Sequence, residues 1–504
     1  MSALKRSASI AVAWTLAARH SERMFGLVSI AILARLLTPA DFGLVAMAAS
    51  ITVIAEVLSA FGFDWALIRL PDARPEHYHT AWTLGVLCGL LILAVLCAAA
   101  YPAAWIFGRP AVMPIMIMMG VNGLIGSLAN VWMAEYRRFN RFDLEFKLNL
   151  AARVAGFLTA IGWAAGTHSY WALVFGTTAY RLALTTLSYR LHPKRPRWAM
   201  SRSKDLLHFS GWLLAGNVTE VLRARFAAMW IGKEVGSREV GLFSMAQEFA
   251  ALASTELAQP INRALFANYS QLEGDVAALR EAYLRVSGVI WCIGLPAAAG
   301  IALCAPDIVG ILLGGQWSNA ADILRILAVA NMLSIMAANT QYVYWALGRS
   351  RFVAILAIAG GVAFVSLTLL LGRYQGVMGV AWAQVAASAL VLLVNFSVLG
   401  RTLDLSLARL LLRNHRVILA AAAMCGIVLC LQSSFGTAPG HNHWGRLAGS
   451  VVAGVIPIVW SAGLPKKPSD VPLKRVGPKI SGAASPAVNI TVAAMARNWM
   501  FCCC

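Results

Sequence analysis

The sequence predicts an all-α polytopic membrane protein of about fourteen transmembrane helices, arranged as two pseudo-symmetric six-helix lobes plus two extra C-terminal helices. Three observations carry that reading. Hydrophobic residues make up 59% of the 504, and charged residues only 13%, about half the charge density that a water-facing surface requires. Apolar runs of roughly 18 to 25 residues recur along the whole chain and are continuous rather than alternating, which fits helices and excludes a barrel. One stretch of the first half returns in the second half.

The expected spans fall near residues 9–36, 42–64, 80–101, 112–133, 148–166, 171–190, 209–231, 240–262, 285–304, 321–346, 352–372, 377–399, 416–432 and 446–464. The first is longer than a bilayer core needs at 1.5 Å per residue, so it tilts or protrudes. Cys88, Cys97, Cys292, Cys304, Cys425 and Cys430 fall inside apolar spans and read as small hydrophobes, with no metal-ligand spacing. Residues 466–504 are basic and rich in Pro and Gly and read as a disordered tail. The tail ends in Cys502, Cys503 and Cys504, whose context matches no prenylation motif.

A net charge of +20 raises the question of nucleic acid, and the distribution answers it. Basic residues gather on alternate loops: Arg69 and Arg74 after span two, Arg137, Arg138, Arg141 and Lys147 after span four, Arg190 to Lys204 after span six, and Arg401, Arg409 and Arg413 after span twelve. The intervening "LLTPAD", "GTHSYW" and "APDIVGILLGGQWSNA" carry none. This is a topology signal, with both termini cytoplasmic and an affinity for anionic membrane lipids, and it excludes nucleic acid as the partner.

The repeat sets "LARLLTPADFGLVAMA" (33–48) beside "IGKEVGSREVGLFSMA" (231–246). At one offset Arg35 meets Lys233, Asp41 meets Glu239, Gly43 meets Gly241, and Met47–Ala48 meet Met245–Ala246; Glu22 falls on Glu220. Span one therefore matches span seven, and span two matches span eight. Six spans between copies leave both in the same membrane orientation. The expected organisation is an N-lobe over 1–200, a C-lobe over 201–400, two further helices over 401–465, and the tail.

Two such lobes with short loops suit a transporter, whose path runs between them. Intramembrane charge gathers on the matching helices: Arg19, His20, Glu22 and Arg23 in span one, Glu56 and Asp64 in span two, Arg153 in span five and Arg181 in span six. The second half adds Glu220, Arg223 and Arg225 in span seven, Glu248, Glu256 and Arg263 in span eight, and Asp322 and Arg325 in span ten. Arg19 and Arg23 stand four apart on one helix face. One reading makes them a cationic grip for phosphate in a water-filled cavity, since guanidinium offers planar, multi-donor recognition of oxyanions. The other makes them interfacial anchors that snorkel. Glu220 and Arg223 are spaced to pair with each other. Glu248 and Glu256, eight apart, are candidates for a coupling ion, with Glu22, Glu56 and Glu220. Asp322 and Arg325 read as an interfacial pair.

"ILARLLTPADFGLVAMA", with "FGFDWALIRL" after it, resembles the opening of the Wzx-type flippases. These form the polysaccharide exporter branch of the multidrug/oligosaccharidyl-lipid/polysaccharide exporter superfamily. "WIGKEVGSREVGLFSMAQEFA" and "ELAQPINRALFANYSQL" are similar to that family's second-lobe pattern, so the resemblance spans most of residues 5–400. It implies a flippase that moves polyprenyl-pyrophosphate-linked oligosaccharide repeat units across the bacterial inner membrane by alternating access, for exopolysaccharide, capsule or O-antigen synthesis. It further implies no catalysis, no cofactor and no metal, and work beside a polysaccharide polymerase and export machinery. Arg19 and Arg23 match the first-helix arginines expected to meet the pyrophosphate; Arg153, Arg223 and Arg225 are the other arginines expected in the cationic cavity. Ala227 stands where many relatives carry an acid, which sets this chain apart at that position.

Rival readings differ in what they need from the residues. A multidrug/cation antiporter wants cavity acids rather than paired arginines. A lipid II flippase differs only in cargo. A membrane glycosyltransferase or polymerase needs a catalytic acid in a large outer loop, and the longest one expected here, roughly 305–320, holds only Asp307. No phosphate-binding Gly-Lys-Ser/Thr loop is present, so an energy source other than nucleotide hydrolysis is expected.

Overall fold

The computed structural model describes residues 21–59, 67, 74–138, 141–201, 221–262, 269, 272 and 275–434. Arg19, His20, Asp64, Glu220, Arg263, span fourteen, the tail and its three cysteines lie outside the described residues.

Every described element is a helix. The first half holds α1 (21–36), α2 (Pro39–Ser59), α3 (Pro75–Phe107), α4 (Val112–Ser127), the short α5 (Met133–Arg138), α6 (Phe142–Thr167) and α7 (Trp171–Leu191). The second half holds α8 (221–234), α9 (Ser237–Ala250), a π-helical turn (Ala253–Ala258), α10 (Val276–Leu303), α11 (Ala305–Leu312), α12 (Ala320–Ala338) and α13 (Thr340–Ala346). The long α14 (Ser350–Leu403), α15 (Leu407–Arg413) and α16 (His415–Ser434) follow. Seven of the described helical stretches are long and apolar enough to cross a bilayer. Their exposed Leu87, Leu91, Val362, Leu370 and Leu429 need an apolar surrounding, which a bilayer supplies.

Two expected features come out differently, and one that looks different does not. The loop over 305–320 is mostly helical, because Pro306 starts α11 in its first turn and a 3-10 turn (Gly315–Trp317) follows. Spans eleven and twelve are, as expected, two helices, which meet within α14 at a kink at Gly376, whose φ of 57° only a glycine adopts readily. Cys97 and Cys430 lie exposed on the outer surface rather than packed inside, while Cys304 is buried as expected.

Local chemistry explains the turn between α1 and α2. Thr38 caps α2, with its hydroxyl accepting from the Asp41 amide at 3.3 Å. The Asp41 carboxylate accepts in return from the Thr38 amide at 2.9 Å and from its hydroxyl at 2.6 Å. This reciprocal box, with Pro39 in the first helical turn, is what "LTPAD" encodes. The larger apolar core draws on both halves, with Leu33, Leu37 and Met47 packing in one cluster with Ile231, Val240, Leu242, Phe249 and Trp317.

The repeated stretches meet each other. A β-carbon on Gly43 would overlap the carbonyl oxygen of Ser237, and one on Gly241 would overlap that of Pro39. Pro39 and Ser237 are themselves partners at the repeat's offset. Such a reciprocal contact is what a two-fold relation between the two stretches produces.

Candidate functional site

Three helices bring the intramembrane charges together. Arg23 lies on α1, roughly 20 Å from the Thr38 turn at 1.5 Å per residue. Its Nη1 donates to Glu248 Oε1 on α9 at 2.8 Å. Its Nε stands 3.7 Å from Glu256 Oε1, close enough for charge attraction and too far for a hydrogen bond. That buried Nε therefore has no acceptor. The side chains of Arg23, Glu248 and Glu256 keep 27%, 45% and 25% of their exposure, so the group sits at the edge of accessible space.

Backbone geometry puts both glutamates on one cation. Eight α-helical residues overshoot two turns by about 80°. The π turn over Ala253–Ala258 is wider per residue and takes up part of that excess, so Glu256 swings back toward the face of Glu248. Around it, Thr255 Oγ1 bonds to the Ala251 carbonyl at 3.0 Å, and Ser254 Oγ bonds to Asn331 Oδ1 of α12 at 3.2 Å.

A second ion pair lies one residue away on α1. Glu22 Oε2 is 3.9 Å from Arg153 Nη2 of α6. Ser21, Glu22, Phe25, Asn149 and Arg153 line a crevice there. The Arg153 guanidinium also lies over the Tyr180 ring of α7, 5.4 Å from its centroid. Beside Tyr180, the side chain of Arg181 runs along Gly126 of α4, where a β-carbon would lie 3.0 Å from Nη1. Arg223 and Arg225 sit half-buried on α8, with the stem of Arg223 beside Gly361 of α14. Glu56 is half-buried on α2, apart from these pairs. Asp322 and Arg325 form an exposed pair at 3.1 Å, as their spacing predicts.

At the opposite end of α1 the two halves lock. Trp317 Nε1 donates to the Ala34 carbonyl at 2.9 Å. The Gln316 amide donates to the carbonyls of Ala34 and Leu37 at 2.6 and 3.0 Å. Arg35 answers by donating to the Ile311 carbonyl of α11 at 2.7 Å. Helix-end carbonyls that lack intrahelical partners are thus satisfied across the halves. Sequence reading missed Gln316 and Trp317, since "GGQW" carries no charge and no periodicity.

A model for the polysaccharide biosynthesis protein family matches residues 32–322, more than half of the chain. The chain belongs to the polysaccharide biosynthesis protein family. Among curated members and relatives, the teichuronic acid biosynthesis protein TuaB of Bacillus subtilis (strain 168) is 21% identical over 88% of this chain and 92% of its own length. The succinoglycan biosynthesis transport protein ExoT of Rhizobium meliloti (strain 1021) is 23% identical over 88% of this chain and 90% of its own. Among solved structures, the lipid II flippase MurJ in an inward closed conformation superposes with a TM-score of 0.72 at 12% identity, covering 90% of this chain and 98% of its own. An inward-facing multidrug transporter of the MATE family gives a TM-score of 0.59 at 18% identity, over 75% and 94%. These likenesses establish the fold, a helical membrane architecture shared with both.

One further cluster in this polysaccharide biosynthesis protein lies past the end of α7. His192 is buried, with Nε2 3.2 Å from Glu135 Oε2, and Lys194 Nζ reaches the same carboxylate at 2.9 Å. Lys194 lies over the Trp132 ring at 4.6 Å, and Trp132 stacks on Tyr78 at 4.1 Å. The Arg195 guanidinium donates to the carbonyls of Tyr189 and His192. Residues 192–199 are thereby strapped across the ends of α3 and α5. Burial pushes the His192 imidazole below its ordinary pKa, against the opposing pull of Glu135.

Proposed function

We propose that this chain flips polyprenyl-pyrophosphate-linked oligosaccharide repeat units across the bacterial inner membrane, for exopolysaccharide, capsule or O-antigen synthesis. Two six-helix lobes, 1–200 and 201–400, alternate access to a cationic path between them. Arg19, Arg23, Arg153, Arg223 and Arg225 meet the pyrophosphate, and the prenyl tail stays in the bilayer. The observation that supports this most is the placement of Arg23, a half-buried guanidinium on α1 that reaches α9 across the two halves of the chain. Pyrophosphate is the part of such a cargo most costly to carry through lipid, and guanidinium is the group best shaped to hold it. Glu22, Glu56, Glu220, Glu248 and Glu256 are the acids available for ion coupling. A polysaccharide polymerase and export machinery would consume the product on the far side.

The test is a deletion strain complemented with wild type, Arg23→Ala or Arg153→Ala, each checked for normal insertion. Lipid-linked oligosaccharide in the membrane and polysaccharide outside the cell are quantified. Accumulated precursor with little export in the variants supports the reading. Normal export in both removes these arginines from the path. Unchanged glycolipid and polymer in the deletion strain itself overturns the assignment in favour of an antiporter.

A further inference from the structure

We infer that Glu248 and Glu256 act as an internal competitor for the pyrophosphate at Arg23, setting how tightly the cargo is held and so how readily it leaves. The inference rests on the reading of Arg23 as a phosphate ligand. Its own ground is the geometry of the three side chains. Two carboxylate oxygens lie at 2.8 and 3.7 Å from two different nitrogens of one guanidinium. They answer two different edges of the guanidinium, each of which an incoming phosphate could otherwise use. The protein thus covers with its own carboxylates the donors that an anionic ligand needs.

That cover is incomplete in a useful way. Glu248 makes a full hydrogen bond, while Glu256 stops short of one and leaves the buried Nε without an acceptor. A phosphate that settles against the Nε edge satisfies the donor that the glutamates leave open. The cargo therefore has a reason to displace them. The glutamates, held nearby on α9 and the π turn, have a reason to return when it leaves. A helical turn that widens just before Glu256 is what lets a pair eight residues apart address one cation.

The exchange also acts on the fold. Arg23 and its glutamates belong to different halves of the chain, so the pair fastens α1 to α9 while the cavity is empty. A phosphate that takes Arg23 removes that fastening. Binding of cargo and release of the α1–α9 contact become one event. A cavity with arginines alone would bind the anion tightly and be slow to let it go. The competing acids lower affinity and raise turnover, which is what a carrier needs and a storage site does not.

Full-length protein in lipid nanodiscs, titrated with a sugar-free polyprenyl pyrophosphate, tests this. Wild type is compared with Glu248→Gln, Glu256→Gln, the double variant, Glu248→Asp and Arg23→Gln. The double variant is expected to bind about tenfold tighter, the size of effect of one close charge pair, and to export polysaccharide more slowly in cells. Glu248→Asp keeps the charge but shortens its reach to Arg23 and is expected to fall between wild type and Glu248→Gln in both measurements. Where the double variant fails to insert, Glu248→Gln alone gives the same comparison with a smaller gain. Unchanged or weaker binding in the neutral variants, with binding lost in Arg23→Gln, overturns the competition and leaves the phosphate reading in place. Wild-type binding in Arg23→Gln overturns that reading, and the competition with it.

Discussion

Gly43 and Gly241 face one another where α2 and α9 cross, each leaving space for a backbone carbonyl of the other helix. The carbonyls belong to Ser237 and Pro39, which are partners at the same offset as the glycines. Helices in a bilayer associate through such close backbone approach, because lipid offers no hydrophobic drive between them. A methyl group at either position has no place to go, since the obstacle is backbone and not a flexible side chain. Gly43→Val or Gly241→Val is expected to lose about 1–3 kcal/mol or more of stability through overpacking. The measurement is the thermal midpoint and yield of the purified protein. A wild-type midpoint in either variant would show that α2 and α9 do not cross this closely.

The lock at the Thr38 end of α1 yields a graded prediction. Trp317 is fully buried and edge-on to Phe42 at 5.3 Å, while its indole N–H satisfies Ala34. Trp317→Ala removes ring and donor and is expected to cost about 3–5 kcal/mol. Trp317→Phe keeps most of the ring, and Gln316 still donates to the same carbonyl, so a cost of about 1 kcal/mol is expected. Gln316→Ala leaves the Leu37 carbonyl short of a donor and is expected to fall between them. Thermal unfolding of the three variants in one detergent checks the ranking, and equal effects for Phe and Ala at 317 would remove packing as the cause.

The strap over 192–199 is expected to be acid-sensitive. Burial depresses the pKa of His192, so the folded state favours its neutral form more than the unfolded chain does. Its contribution to stability is therefore full above the ordinary histidine value and is lost as pH falls through the lower folded value. Glu135 acts the other way and shrinks the effect without reversing it. His192→Gln is expected to flatten the loss of thermal stability between about pH 7 and about pH 5. A variant as acid-sensitive as wild type would place the responsible group elsewhere.

How far the sequence could lead differs between span and site. The membrane class and most helices were legible because hydropathy is a local property summed over twenty residues. The Thr38–Asp41 turn was legible because a capping box is written in four consecutive letters. The buried network at Asn339 was not legible, since its partners Ser287 and Tyr269 come from elsewhere in the chain. Charge inventory found Arg23, Glu248 and Glu256 but not their pairing, which joins residues 225 apart and needs a π turn that spacing rules do not foresee. The expected stacking of Arg19 on Arg23 lies outside the described residues. Tyr180 left one faint signal, an aromatic next to an intramembrane arginine, whose ring in fact supports Arg153 rather than its neighbour.

That support separates shape from charge at Arg153. Its guanidinium answers Glu22 at 3.9 Å, a distance at which the charge counts more than hydrogen-bond geometry, and lies over Tyr180 within cation–π range, 5.4 Å from the ring centroid. Lysine in its place keeps the charge near Glu22 but loses the planar face and the multi-donor fork. Arg153→Lys is expected to reduce export by about two- to fivefold, the worth of roughly 0.5–1 kcal/mol for one exposed cation–π contact. Tyr180→Leu removes the same contact from the other side and is expected to match it. Arg153→Ala removes the charge as well, and its deficit should exceed both. Export and accumulated precursor are measured together at equal protein levels. If Lys and Ala at 153 fail alike, the fork itself grips the cargo and the ring is scaffolding; if Lys is fully active while Tyr180→Leu is not, Tyr180 acts on the path without Arg153.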